Sequence, residues 1–173
     1  MQPGSHSSLL VLGGARSGKS RYAQQRAEAL PGERIFVATA QALDAEMAAR
    51  IARHRADRGD PWRTIEAPLD IAAVIAEEAR PERVVLVDCL TLWASNLMFA
   101  ELDHREHAER LAEAIKNAAG PVLLVANEVG LGIVPDNALA RRFRDVAGEI
   151  NQIVAASVDE VMFMAAGLPL KLK

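Results

Sequence analysis

The chain is expected to fold as a three-layer α/β structure with a mostly parallel central sheet, and three observations lead there. Short apolar runs rich in Val, Ile and Leu alternate with longer segments whose apolar residues recur three and four apart. The short runs are apolar throughout rather than at every second position, the pattern of strands covered on both faces. Strict alternation of the two kinds of segment calls for right-handed strand–helix–strand crossovers, which place helices on both sides of a parallel sheet.

Taken in order, strands are expected at 9–12 (Leu9-Leu10-Val11-Leu12), 34–39 (around Ile35-Phe36-Val37), 83–88 (Val84-Val85-Leu86-Val87), 121–126 (Val122-Leu123-Leu124-Val125) and 160–164 (around Val161-Met162-Phe163). Helical spacing predicts helices over 19–30, 44–58, 69–79, 104–118 and 137–156. Residues 62–66 form another candidate short strand, and 168–172, after the turn residue Gly167, a candidate final edge strand. No repeat, low-complexity tract or linker divides the chain. With 173 residues, one catalytic domain over 9–173 is the expectation. Residues 1–8, without a basic leader or an apolar run, read as a flexible extension.

Composition narrows the function classes. Half of the residues are hydrophobic and a quarter charged, a balance typical of globular proteins, and the expected location is the cytoplasm. A net charge of -3 offers no general attraction to nucleic acid. The apolar stretch 84–100 contains Asp88, Ser95 and Asn96, whose burial in lipid would strand polar groups, so no membrane span is expected. Cys89 has no second cysteine to pair with and ends an apolar run, which makes it a core residue.

Directly after the first strand run stands Gly13-Gly14-Ala15-Arg16-Ser17-Gly18-Lys19-Ser20, a full match to the phosphate-binding pattern G-x-x-x-x-G-K-[ST]. Glycines let backbone amides wrap phosphate oxygens, and the helix that follows turns its positive end toward them. Lys19 brings a mobile charge to the β- and γ-phosphates, and Ser20 a hydroxyl ligand for Mg²⁺. The expected fold is therefore P-loop NTPase-like, with its ligand beyond the carboxyl ends of the strands. Asp88 ends an apolar strand as a second metal-binding carboxylate does. It also stands where an aspartate can cap a following helix. The Asn-Lys-x-Asp guanine motif of small GTPases is absent; Asn127-Glu128-Val129-Gly130 resembles it only superficially.

In the helix over 44–58, Arg50, His54 and Arg58 fall four apart on one face, while Met47 and Ile51 are placed to face the core. This basic stripe suits a polyphosphate and equally a solvated surface. If it binds nucleotide, its guanidinium charges disfavour imidazolium and keep His54 neutral, as a nitrogen nucleophile must be. His6, His104 and His107 lack a metal-ligand pattern.

These segments, together with Ala38-Thr39-Ala40, residues 44–55, residues 127–135 and residues 141–152, resemble in order the bifunctional cobinamide kinases and guanylyltransferases. The likeness runs from about residue 9 to residue 173. It implies phosphorylation of the aminopropanol hydroxyl of adenosylcobinamide with ATP or GTP. Transfer of GMP from GTP to adenosylcobinamide phosphate follows, releasing pyrophosphate, with Mg²⁺ as the metal. By the same resemblance His54 carries GMP covalently, and Arg55, Ala56, Asp57, Arg58, Ala38, Thr39, Ala40, Glu66 and Asp88 contact the guanine nucleotide. It also implies a homotrimer with the nucleotide near a subunit boundary. A carboxylate at Glu66 suits guanine, since it accepts both N1–H and N2–H, which adenine cannot offer together. Residues 127–135 read either as a loop facing the corrinoid or as a structured turn. The competing functions are a P-loop kinase of another small metabolite, which makes no pyrophosphate, and a nucleotide-dependent regulatory protein, which needs no acceptor.

Overall fold

The computed structural model describes residues 7–42, 44–58 and 61–173; within 44–58 the side chains of Arg50, His54, Arg55, Asp57 and Arg58 lie outside the described set. Seven strands form one sheet: β1 (Ser8–Gly13), β2 (Glu33–Ala38), β3 (Trp62–Glu66), β4 (Arg83–Asp88), β5 (Val122–Asn127), β6 (Glu160–Ala165) and β7 (Leu168–Lys171). Their spatial order is β3-β2-β4-β5-β1-β6-β7. All neighbouring pairs are parallel except β6 with β7, which are antiparallel. Both candidate short strands, 62–66 and 168–172, are strands, and they form the two edges of the sheet. β1 reaches back to Ser8, so the expected flexible extension over 1–8 gives up that residue. The Ser8 N–H and hydroxyl both donate to Asp159 Oδ2, at 2.9 and 2.7 Å.

Helices α1 (Lys19–Glu28), α2 (Ala45–Arg58), α3 (Ile71–Glu78), α4 (Leu90–Phe99), α5 (His104–Lys116) and α6 (Ala138–Ser157) follow the strands in chain order. Four of them are packed on one face. Ile71 and Ile75 of α3, Trp93 and Leu97 of α4, Leu111 of α5 and Ile150 of α6 are all buried in one cluster with Leu10, Val85 and Leu124 of the sheet. The opposite face is thinner. There Ala23 and Ala27 of α1 lie over Leu9, Val11, Leu86 and Val125, small residues that let the helix approach the strands closely.

Helix α4 has no counterpart among the elements expected from the sequence. It follows β4 after a single residue, Cys89, and shows an apolar surface nearly all round, so the 3.6-residue period that reveals an amphipathic helix is weak. Helix α3 starts two residues later than its apolar spacing suggested, because the Asp70 carboxylate accepts from Ala73 N and caps the helix there. Cys89 is buried, and burial raises its thiol pKa, which suits the core role expected of it. Among the described residues no helix is long and apolar enough to cross a membrane.

Candidate active site

Strand alternation explains what meets at the carboxyl end of the sheet. Successive side chains point to opposite faces, and the register pairs Glu66 with Ala38, Ala38 with Asp88, and Asn127 with Gly13. Leu123 and Val125 pack on the thinner, α1-side face, so Asn127, two residues on, ends its strand on that face as well. Glu66, Ala38 and Asp88 therefore form a row across β3, β2 and β4, and Asn127 and Gly13 continue it on β5 and β1 two residues further along, since Asp88 pairs with Val125.

Glu66, Ala38, Asp88 and Asn127 line a cavity of about 220 Å³ together with Lys19, Ser20, Met47, Ile51, Phe36 and Thr64. Met47 and Ile51 were placed facing the core on spacing alone. They line the cavity instead, because α2 lies over the open end of the sheet.

The loop between β1 and α1 is shaped by its glycines. Gly18 has φ 93° and immediately precedes α1, a conformation that a side chain strains. A Cβ on Gly13 would stand 2.5 Å from Ser17 Oγ and 2.8 Å from the Met164 carbonyl. The Gly167 N–H donates to the Ser17 carbonyl at 2.9 Å, so the β6–β7 turn braces the loop. Ser17 Oγ is buried with no hydrogen-bond partner among the described residues, the kind of unsatisfied group that a bound phosphate oxygen satisfies. Lys19 Nζ folds back onto the Gly14 carbonyl at 2.9 Å, and both Lys19 and Ser20 reach the cavity.

Asp88 is half-buried and lines the cavity, and its carboxylate makes no hydrogen bond to another described residue. The capping role weighed for it is not formed, since α4 has Cys89 at its N-cap and no side-chain cap bond. Ala38 and Ala40 line the cavity, but Thr39 between them does not. Its hydroxyl is fully buried, donating to the Cys89 carbonyl at 2.7 Å and accepting from Cys89 N–H at 2.9 Å. Asn96 Nδ2 of α4 donates to the Thr39 carbonyl at 2.8 Å and to that of Pro68 at 2.9 Å. The Thr39 side chain thus ties together the ends of β2 and β4. Glu66 is exposed at the rim and lines the cavity from β3.

His54, Arg55, Ala56, Asp57 and Arg58 belong to the last turns of α2. Ala56 is exposed; the side chains of the other four, and of Arg50, lie outside the described residues. The α2 N-terminus is held by Asp44, whose Oδ1 accepts from Met47 N at 2.7 Å. Phe36, Thr64, Cys89, Thr91, Leu92 and Asn127 complete the cavity; sequence alone gives none of them a site role beyond placing Asn127 at the start of the segment 127–135, read as a corrinoid-facing loop or a structured turn. Asn127 carried a usable signal, a polar residue ending an apolar strand, which is the same signal that points to Asp88. In loop 128–137 Leu131, Ile133 and Val134 are exposed, and Arg141 Nη1 holds the Pro135 and Asp136 carbonyls at 2.8 and 2.7 Å.

The model of a family described as cobinamide kinase / cobinamide phosphate guanyltransferase matches residues 9–172. The chain is 48% identical over 166 residues to the bifunctional adenosylcobalamin biosynthesis protein CobP of Pseudomonas aeruginosa, covering 95% of this chain and 96% of the relative. It is 43% identical over 183 residues to the bifunctional adenosylcobalamin biosynthesis protein CobU of Escherichia coli, covering 95% and 99%. Among solved structures, an ATPase from the type III secretion system of pathogenic bacteria superposes with a TM-score of 0.54 at 11% identity, over 96% of this chain and 57% of that one. The chain thus spans a little over half of that structure, and the likeness is one of fold, a three-layer α/β P-loop architecture. With a glycine-rich phosphate loop in its expected place, a cavity between that loop and α2, and relatives matched over nearly their full length, the chain belongs to the cobinamide kinase / cobinamide phosphate guanyltransferase family.

Proposed function

We propose that the chain runs two reactions in succession at one nucleotide cavity. The first moves the γ-phosphoryl of ATP or GTP to the aminopropanol hydroxyl of adenosylcobinamide. The second moves GMP from GTP to adenosylcobinamide phosphate, giving adenosylcobinamide-GDP and pyrophosphate. The observation that carries this reading is the shared cavity: Lys19 and Ser20 of the phosphate loop enter it from one side, and Met47 and Ile51 of the helix that bears His54 enter it from another.

In the first step the acceptor oxygen bonds to the γ-phosphorus and the nucleoside diphosphate leaves with the bridging oxygen. Lys19 neutralises charge gathering on the β–γ bridge. In the second, a His54 ring nitrogen attacks the α-phosphorus of GTP and pyrophosphate leaves. The phosphate of the acceptor then displaces the histidine, so that two displacements replace one. Glu66 reads the guanine edge, and Arg55, Ala56, Asp57, Arg58, Ala38 and the backbone of Thr39 and Ala40 surround the nucleotide. Ser20 and Asp88 line the same cavity and are the residues that would hold Mg²⁺; the ion would screen the phosphate charges. The family likeness extends this reading to a homotrimer working in the cytoplasm.

The test is to incubate the protein with α-labelled GTP and Mg²⁺ without acceptor and compare it with His54→Ala. Protein-bound label that is acid-labile, base-stable and absent from the variant is the expected result. Active protein without label would leave only the kinase reading, with ADP and no pyrophosphate among its products.

A further inference from the structure

Asn127 stands in the cavity with a side chain that the proposed reactions have not used. Its backbone is locked on both sides: its N–H donates to Thr91 Oγ1 at 2.7 Å, and its carbonyl accepts from Asn151 Nδ2 at 3.2 Å. In the β-ladder it lies beside Gly13, where the phosphate loop begins. The following residue is tied to the same point, since Glu128 N–H donates to the Gly13 carbonyl at 3.0 Å. The carboxamide itself is half-buried, lines the cavity with Lys19, Ser20 and Asp88, and makes no hydrogen bond to another described residue. A rigid backbone that presents an amide with two donors and one acceptor toward a polar space is a built contact, not a loose surface group.

The row of strand ends has two poles. Glu66 on β3 and Asn127 on β5 are separated by β2 and β4 and by a two-residue offset, Asp88 pairing with Val125, which together come to roughly 16 Å. Thr64 and Phe36, paired across β3 and β2, line the cavity on the Glu66 side, whereas the phosphate loop begins beside Asn127. A triphosphate held by Lys19 has its terminal phosphate, and hence the incoming acceptor, at the Asn127 pole.

We infer that Asn127 is a catalytic residue of phosphoryl transfer and is not needed for loading GMP onto the protein. Its carboxamide holds the acceptor hydroxyl and a γ-phosphate oxygen together. The acceptor oxygen bonds to the γ-phosphorus, the bond to the β–γ bridging oxygen breaks, and the diphosphate leaves with the electron pair. The hydroxyl proton goes to solvent, because a carboxamide oxygen is too weakly basic to keep it. This assignment rests on the two-step reading above.

The experiment compares wild type with Asn127→Ala and Asn127→Asp in three assays: phosphorylation of adenosylcobinamide, hydrolysis of γ-labelled ATP with Mg²⁺ and no corrinoid, and labelling by α-labelled GTP. Alanine keeps both backbone hydrogen bonds, so the melting temperature should hold. The expected result is a kcat for phosphoryl transfer about 100-fold lower in the alanine variant, the scale of one lost donor to a reacting phosphoryl group. The KM for nucleotide should stay within about threefold, and protein labelling should be retained. Aspartate matches the shape but repels the phosphate, so it should not rescue. A kinase rate within about threefold of wild type in the alanine variant would overturn the inference while leaving the two-step reading intact, as would rescue by aspartate. Should wild type phosphorylate no corrinoid, the two-step reading fails. ATP hydrolysis then still decides on Asn127, since water occupies the acceptor position: a comparable loss upholds its role and an unchanged rate removes it.

Discussion

At the amino edge of the sheet, Arg63 of β3 and Arg83 of β4 close on Glu78 of α3 and Glu33 of β2. At the carboxyl edge of the same strands, Glu66, Ala38 and Asp88 face a cavity. The amino edge is tied along its length. The Ser8 N–H and hydroxyl donate to Asp159, and Glu160 at the start of β6 receives two hydrogen bonds from Arg26. At the carboxyl edge the polar groups that close the structure, Thr39, Thr91, Asn96 and Asn151, bond to backbone beneath the cavity. The side chains of Asp88 and Asn127 stay without a partner among the described residues. The difference is one of use. Satisfied pairs contribute to stability, while polar groups held ready at a ligand edge forgo that contribution until something binds.

The contrast is open to attack from either edge. The largest effect is expected for Lys19→Ala, which should lower both proposed reactions about 1,000-fold by removing charge from the phosphates. Its thermal midpoint should move by less than about 2 °C; a large loss of stability with activity intact would break the division between edges.

Next comes Glu78→Ala. Glu78 is 7% exposed and pairs with both Arg63 and Arg83, so the variant should lose about 2 kcal/mol, seen as a midpoint lower by roughly 4–8 °C. Turnover at 25 °C should be unchanged, and a fall in kcat without a fall in stability would mean that the amino edge also serves the reaction.

A smaller change is expected for Glu66→Gln, which leaves one acceptor where guanine offers two donors. Preference for GTP over ATP, read by competition for protein labelling, should drop about tenfold; unchanged preference would move guanine recognition elsewhere in the cavity.

The smallest effect concerns acid. Hydrogen bonds from the Ser8 backbone and hydroxyl hold the Asp159 carboxyl below the usual range, and Arg26 does the same for Glu160. Because their folded pKa values lie below the unfolded ones, the unfolded chain binds protons first as pH falls. Their stabilisation is therefore full near neutrality and drains away below about pH 5. Urea midpoints measured between pH 7 and pH 3 should fall for the wild type and fall less steeply for Asp159→Asn.

Where a short stretch of chain decides its own geometry, the sequence was legible. The phosphate loop is such a stretch: eight residues with glycines at fixed places and a strand and helix at either end. The helices with a clear apolar stripe, such as the one carrying Leu111 and Ile115, are others. Reading failed where neighbours in space had to choose. Helix α4 merges with β4 into one apolar stretch that no glycine or proline divides, so its helical period was hidden. Met47 and Ile51 have the spacing of core residues, yet they border a cavity because of where α2 lies. Thr39 sits between two cavity residues, but its hydroxyl is committed to Cys89, fifty residues along the chain.

By itself, then, the sequence determined the class of fold, the order of its main elements, the phosphate loop and the family whose motifs it bears, because each of these is written in local spacing of residue types. The tertiary structure alone decided that β4 and β5 lie between β2 and β1. It thereby decided that Asp88 and Asn127 share one cavity with Lys19 while Glu66 stands at the far end. Strand order is a matter of long-range pairing: every parallel strand here is compatible with several neighbours, and only the packing of helices α1 and α3 to α6 against two faces of one sheet selects among them.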